Sequence, residues 1–242
     1  MKFNDLDLEN WKHSNINTDS LWLIGERDKS GKHENLYHGN FVPQIPNQLV
    51  RRYTKEGETV FEPFMGSATT LFECEKLERK HIGFDINAEI VDYVRKKQNN
   101  SDSNQLFFAE CNSLNCNQVD TNIYRAFDKL SAKSAQFVLM HPPYLDIIKF
   151  TDHSDDLSQT AGLKEFVGKF RVICENSLKY LDKNRYFAIV GGDVYKNGEV
   201  LPLAFYCMDM IKRHFNVKLK GIIIKNIEGN RGKLNKRICT NE

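Results

Sequence analysis

Long apolar runs, a large excess of one charge, a cysteine framework and a phosphate-binding glycine loop are all missing from this 242-residue chain. No stretch approaches the roughly 18 apolar residues that a membrane-spanning helix needs, and neither end has the charged, apolar and small-residue order of a signal peptide. The chain is therefore expected in the cytoplasm, with no membrane partner. The 6 cysteines, at 74, 111, 116, 174, 207 and 239, form no Cys-x-x-Cys and lack His at zinc-finger spacing, so reduced thiols and no metal are expected. With only 6 prolines and no low-complexity stretch, there is no candidate linker. What is present, 40% hydrophobic and 27% charged residues, describes one large core rather than two domains.

A net charge of +2 says little as a total, but its distribution is uneven. From Lys212 onward come Arg213, Lys218, Lys220, Lys225, Arg231, Lys233, Lys236 and Arg237, opposed only by Glu228 and Glu242. Such a segment is often a solvated surface, and it equally suits a phosphate backbone.

Short β-rich runs alternate with helical patterns, which predicts a doubly wound, mostly parallel α/β sheet with helices on both faces. Strands are predicted at 58–62, 81–85, 105–109, 135–140, 185–190 and 219–224. Helices are predicted near 68–79, 88–98, 119–130, 163–181 and 202–214, the last opened by Pro202, where a missing N–H costs nothing. About 40 less regular, polar residues precede them. Ligands in such sheets bind outside the carboxyl ends of the strands. That rule selects "FEPFMGSATT", "GFDIN", "FAECNSL", "MHPPY" and "VGGDVY".

In the first of these, Pro63 ends the strand, Gly66 permits a tight turn, and Ser67, Thr69 and Thr70 can cap the next helix or face a ligand. Asp85, about 20 residues beyond the glycine turn and at the end of the next strand, is placed to accept ribose hydroxyls, or alternatively to cap the helix that follows. Together they point to an adenosine-containing cofactor. Pro142 and Pro143 stop the fourth strand and aim its last carbonyls, since neither can donate to a ladder. Tyr144 then offers a ring face, a combination suited to gripping a planar base.

Taken together, "FEPFMGSATT", "GFDIN" and "HPPY" resemble the cofactor and catalytic motifs of the amino-methylating DNA methyltransferases, which methylate the six-amino group of adenine or the four-amino group of cytosine. "GNFVPQIPNQLVRRY" is similar to the helix that in this family packs beside the cofactor, and the likeness runs over roughly residues 36–225. It implies a Rossmann-like fold, S-adenosyl-L-methionine as cofactor and duplex DNA with a flipped base as partner, within a restriction-modification or related system. By this resemblance Phe41, Pro43, Glu62, Pro63, Phe64, Gly66, Ser67, Thr69, Thr70, Asp85, Ile86, Glu110 and Cys111 surround the cofactor, and His141, Pro142, Pro143 and Tyr144 are catalytic, with adenine preferred over cytosine. The domain division it implies is an extension over 1–40, a methyltransferase domain over 41–242 and no separate target-recognition domain.

There are departures. Glu62 stands for the usual Asp, Ala68 for the second Gly, and His141 for Asp, Asn or Ser, so that activity is expected to need a neutral imidazole that accepts the amine hydrogen. The C-terminal hairpin of related folds lacks its last strand, which is either absent or supplied by another chain. Rival readings are an RNA base-amine methyltransferase and a non-catalytic subunit of a complex. A second protein subunit is a further possible source of sequence specificity, as is the loop at 145–162.

Without a recognition domain, affinity for DNA is expected to rest on phosphate pairing by Arg231, Lys233, Lys236 and Arg237. Neutralising all four should flatten the slope of log affinity against log salt by about 0.9 for each phosphate that is no longer paired. An unchanged slope in duplex-binding titrations would make the tail a solvated end and shift attention to Arg51, Arg52 and Lys55.

Overall fold

The computed structural model describes residues 2–7, 9–34, 39–98 and 103–227. Its centre is a five-stranded, wholly parallel sheet in the order β4-β3-β2-β5-β6, built from β2 (Thr59–Glu62), β3 (Lys80–Asp85), β4 (Leu106–Glu110), β5 (Ala135–Met140) and β6 (Leu181–Ile189). All four residues of β2 are buried, as expected of a central strand covered on both faces. Val60, Phe137 and Leu139 pack with Ile45, Leu49 and Val50 of α1 (Gln44–Tyr53). Phe61, Val138 and Met140 instead join α4 (Cys116–Leu130), α5 (Leu163–Leu178) and α6 (Leu203–His214). A third cluster fastens α2 (Thr69–Lys76) and α3 (Ala88–Lys97) over Leu106.

The order β3-β2-β5 brings the ends of three predicted strands side by side. Asp85, Pro63 and His141, each at a strand's carboxyl end, are thereby neighbours. The central strands were legible because their apolar runs are buried on both faces, and β5 runs from Ala135 to Met140 as predicted. β6 starts four residues earlier than predicted: its register against β5 shifts between Ala135 and Phe137, with Asn184 at φ 62°, and this irregularity masks the strand's start.

The predicted strand at 219–224 is displaced. Leu219 and Ile222 are exposed, and regular pairing begins only at β9 (Ile224–Ile227), where β1 (Leu21–Ile24) offers a parallel partner in the register Leu21↔Ile224 to Ile24↔Ile227. The ladder, not the apolar run, decides where this strand lies. β9 is thus paired within the chain, by a segment of the residues expected as an N-terminal extension. Trp22 and Ile24 of that segment are buried against α1 and the β5 side of the sheet. Also unforeseen is a hairpin of β7 (Val194–Lys196) and β8 (Glu199–Leu201).

Arg231, Lys233, Lys236 and Arg237 lie outside the described residues. The fallback surface of Arg51, Arg52 and Lys55 precedes β2 and so sits at the amino ends of the strands, away from the rim where ligands bind.

If β1 belongs to the core, Trp22→Ala should cost about 3–5 kcal/mol, the range for truncating a buried large aromatic. Urea unfolding gives the value, and a loss below ~1 kcal/mol would mean that the segment is a dispensable extension.

Candidate active site

The turn after β2 is built by backbone geometry. Met65 N donates to Phe84 O (2.8 Å) and Ala68 N to Met65 O (3.0 Å), which fold residues 65–68 back against β3. Gly66 sits at φ 51° and Ala68 at φ 68°. A left-handed conformation is free for glycine but costs an L-residue roughly 1–2 kcal/mol, so Ala68 occupies a position that suits the glycine of the resembling motif.

Asp85 is tied to this turn. Its Oδ2 accepts the Gly66 N–H (2.8 Å) and its Oδ1 the Asn87 N–H (2.9 Å). The capping role is taken by Asn87, whose side chain accepts from Glu89 N and Ile90 N, so Asp85 is not the helix cap. Burial raises the Asp85 pKa from 3.8 to about 6, against the two backbone hydrogen bonds and with a further push from Asp156 and Glu62. The folded protein therefore holds this proton more tightly than the unfolded chain does. Asp85 favours folding most below about pH 4, and that contribution is lost as pH rises to about 6.

At the end of β5 the imidazole of His141 lies edge-on to Phe41, ring centroids 4.5 Å apart at 90°, and its Nε2 is 3.0 Å from Tyr144 Oη. Burial pushes the His141 pKa down to about 3, with Lys225 of β9 adding to the shift, and pushes Tyr144 up to about 12. Both groups are neutral at physiological pH. The Tyr144 ring rests on the backbone of Gly192, where an added Cβ would lie 2.8 Å from a ring carbon. That contact accounts for the second glycine of "VGGDVY".

One cavity runs along this rim. Of the residues selected from the sequence, Phe41, Pro63, Phe64, Gly66, Ser67, Thr69, Asp85, Ile86 and Cys111 line it, together with His141, Pro142, Pro143 and Tyr144. Four do not. Glu62 points into the interior, its Oε1 accepting from Thr70 Oγ1 (2.7 Å) and its Oε2 lying 3.2 Å from His81 Nε2. Burial raises the Glu62 pKa well above the usual carboxylate range and lowers that of His81 to about 3, so the pair is held neutral. Thr70 is consumed by the same contact. Pro43 is spent in opening α1, and Glu110 ends β4 exposed to solvent.

The residues missed are informative. Asn112, Phe150, Asp155, Asp156 and Leu157 also line the cavity. The loop at 145–162, expected as one of two possible sources of sequence specificity beside a partner, contributes Phe150, Asp155, Asp156 and Leu157 to its wall. Asp156 collects the N–H groups of Ser158 and Thr151 and the Thr151 hydroxyl, and Asn112 Nδ2 donates to Asp155 Oδ2 (2.7 Å). Phe150 meets the segment before α1, where Gly39, at φ 89°, leaves 2.9 Å between a would-be Cβ and the ring. The Thr-x-x-x-x-Asp-x-Ser pattern signals a self-bonded loop, but not what it folds against.

Residues 1–96 match the family profile described as DNA methylase, of the N6- and N4-methylating type. The chain is 37% identical over 68 residues to the Type II methyltransferase M.MjaII of Methanocaldococcus jannaschii, covering 27% of this chain and 13% of that protein. To M.MjaI of the same organism it is 30% identical over 78 residues, covering 32% and 25%, and to M.Cfr9I of Citrobacter freundii 26% identical over 93 residues, covering 38% and 30%. The matched stretches thus span less than a third of each relative. Among solved structures, TrmN from Thermus thermophilus is 18% identical with a TM-score of 0.44, over 63% of this chain and 39% of that one. Precorrin-6y C5,15-methyltransferase from Geobacter metallireducens is 11% identical with a TM-score of 0.45, over 79% of each. Likeness at that level says nothing of function. The family model's match covers the segment that builds the glycine turn and Asp85, and ends before the His-Pro-Pro-Tyr segment. Over residues 1–96 the chain is thus similar to the DNA methylase family model, and over shorter stretches to Type II methyltransferases.

Proposed function

We propose that this chain transfers a methyl group from S-adenosyl-L-methionine to an exocyclic amine of a base flipped out of duplex DNA, adenine in preference to cytosine, as part of a modification system. The observation that carries this reading is that the glycine turn with Asp85 and the His-Pro-Pro-Tyr segment line the same cavity. A donor and an acceptor can therefore meet there.

The lining suits that cofactor. It holds three carboxylates, Asp85, Asp155 and Asp156, and no lysine or arginine among the described residues, which favours a ligand bearing a sulfonium and an ammonium. Asp85 uses one lone pair on each oxygen for the backbone and keeps others for ribose hydroxyls. Gly66 and Ser67 would flank the methionine end, Phe64 and Ile86 the adenine, and Asn112 stands where Glu110 was expected. The cofactor, when bound, supplies an electrophilic methyl on sulfur. What remains for the chain is to hold the amine nitrogen in line with it, since positioning supplies most of the effect in such a transfer.

His141 can do this only as a neutral acceptor. The tautomer with hydrogen on Nε2, donated to Tyr144 Oη at 3.0 Å, leaves Nδ1 free to accept an amine hydrogen. Tyr144 thus offers both a stacking face and an acceptor for the Nε2–H of that tautomer. Matches to Type II methyltransferases favour DNA and a modification system.

A tritiated-methyl assay on genomic DNA and total RNA, followed by nucleoside mass spectrometry, tests the reading. Label on a DNA base amine is expected; label on RNA alone would make the chain an RNA enzyme, and no label with no cofactor binding would make it a non-catalytic subunit. Tyr144→Ala should lose roughly 1–3 kcal/mol of base stacking with cofactor affinity nearly intact. If methylation survives unchanged, the Pro-Pro segment is only a turn.

Calorimetry addresses the other half of the cavity. Asp85→Ala should weaken S-adenosylmethionine binding by ~1.5–3 kcal/mol, one to two orders of magnitude. In the parent protein the affinity should fall as pH drops below about 6, because the ribose is best accepted by the ionised carboxylate. An affinity that is flat from pH 7 to 5 would remove Asp85 from the ribose. His141 should impose no such fall over that range, since its pKa lies near 3.

A further inference from the structure

The fold accounts for only one face of the β1–β9 ladder. Along β1, Trp22 and Ile24 are buried in the cluster that contains α1, while Leu21 and Leu23 between and before them are 54% and 62% exposed. On the other strand Ile223 packs against the same cluster and Lys225, opposite Trp22, is half-buried, whereas Ile222 and Ile224 are exposed. Leu21 and Ile224 are register partners, so Leu21, Leu23, Ile222 and Ile224 share the outer face. Parallel strands are apolar on both faces where both faces are covered, and here the described residues leave the outer one open. The patch is on the order of a few hundred Å², the size that marks an interaction site on a soluble chain.

Charge indicates what covers it. Residues 15–26, which carry β1, include Asp19 and Glu26 and no lysine or arginine; residues 216–226, which carry β9, include Lys218, Lys220 and Lys225 and no carboxylate. Asp19, Glu26, Lys218 and Lys220 are exposed and form no ion pair with a described residue. The patch is therefore apolar in the middle, acidic along one side and basic along the other. Its acidic side is unsuited to a phosphate backbone or an anionic lipid surface. A second copy, turned by a two-fold axis that runs along the strands, lays β1 on β9 of the other copy and β9 on its β1. Both apolar rows are then covered, and each acidic side meets a basic one. Asp19 and Lys220 both precede their strands, so this stacking brings them to the same end.

We propose that the outer face of the β1–β9 ladder is the interface of a homodimer, in which β1 of each copy lies over β9 of the other and Asp19 faces Lys220 across it. The inference does not depend on the methyl-transfer reading, since none of these residues lines the cavity. Stacking β1 on β1 would instead set acid against acid, so charge selects the arrangement as well as the partner.

Light scattering on the full chain across a dilution series tests this, with circular dichroism and thermal unfolding to verify that each variant is folded. The parent should be a dimer. Leu23→Glu should raise the dimer dissociation constant at least about a hundredfold, because the symmetry buries the unpaired charge twice. Leu23 is exposed in the single chain, so a folded monomer is the expected product, and Leu23→Gln should shift the equilibrium the same way by less. Asp19→Lys and Lys220→Asp should each weaken the dimer about tenfold, and the two together should restore it, because the pair is rebuilt with its signs exchanged. A parent that is monomeric at every dilution overturns the proposal, as does a dimer that Leu23→Glu leaves intact. Charge reversals that have no effect, or that fail to rescue each other, overturn the β1-over-β9 arrangement. A monomeric parent whose duplex binding is lost in Leu23→Glu would make DNA the occupant instead.

Discussion

The parallel pairing of β2 with β3 on one side and β5 on the other is the constraint from which the rest of the site follows. Parallel strands in a doubly wound sheet present all their carboxyl ends on one rim. With β2 in the middle, the turn after it must lie beside whatever ends β3 and whatever ends β5. Those are Asp85 and His141. No single contact between the glycine turn and the His-Pro-Pro-Tyr segment is needed to bring them together, because the sheet does so. Side-chain chemistry then refines the arrangement: the Gly66 N–H to Asp85 bond couples two strand ends, and the Gly192 backbone under Tyr144 couples a second pair.

Burial sets the electrostatics of that rim in opposite directions on its two sides. Asp85 is held near the pH at which it changes charge, whereas His141 and Tyr144 are held far from theirs. Under the proposed function, a charge that can respond faces the cationic cofactor and fixed neutral groups face the neutral base. Glu62 and His81, equally buried, are both held uncharged behind the turn and leave the field in the cavity to the three aspartates.

The sheet and its rim were legible because period and strand-end position are local properties. A run such as 135–140 reads as a buried strand with no knowledge of its neighbours. What was not legible depends on contacts between distant residues. Glu62 reads as a lining acid because its neighbours in sequence line the cavity, yet its own side chain meets Thr70 and His81 in the interior. The loop at 145–162 reads as a possible source of sequence specificity, and only the folded chain reveals Asn112 and Gly39 receiving it. The hairpin had a local signal in Lys-Asn-Gly between short β-prone pairs, and it was overlooked because three-residue strands give almost no alternation to count.

The pairing of β1 with β9 spans the chain. Leu21 and Ile224 are register partners although some 200 residues separate them. Closing a loop of that length costs only a few times RT beyond a short one, but it cannot occur until β9 exists. During synthesis the central sheet can assemble while Trp22 and Ile24 wait, with α1 as partner but no ladder, until β9 emerges. The pairing therefore belongs to the late, slow part of folding, where contacts of greatest sequence separation form. Until then the edge of β1 stays open, and the nascent chain is at its most prone to association through that strand.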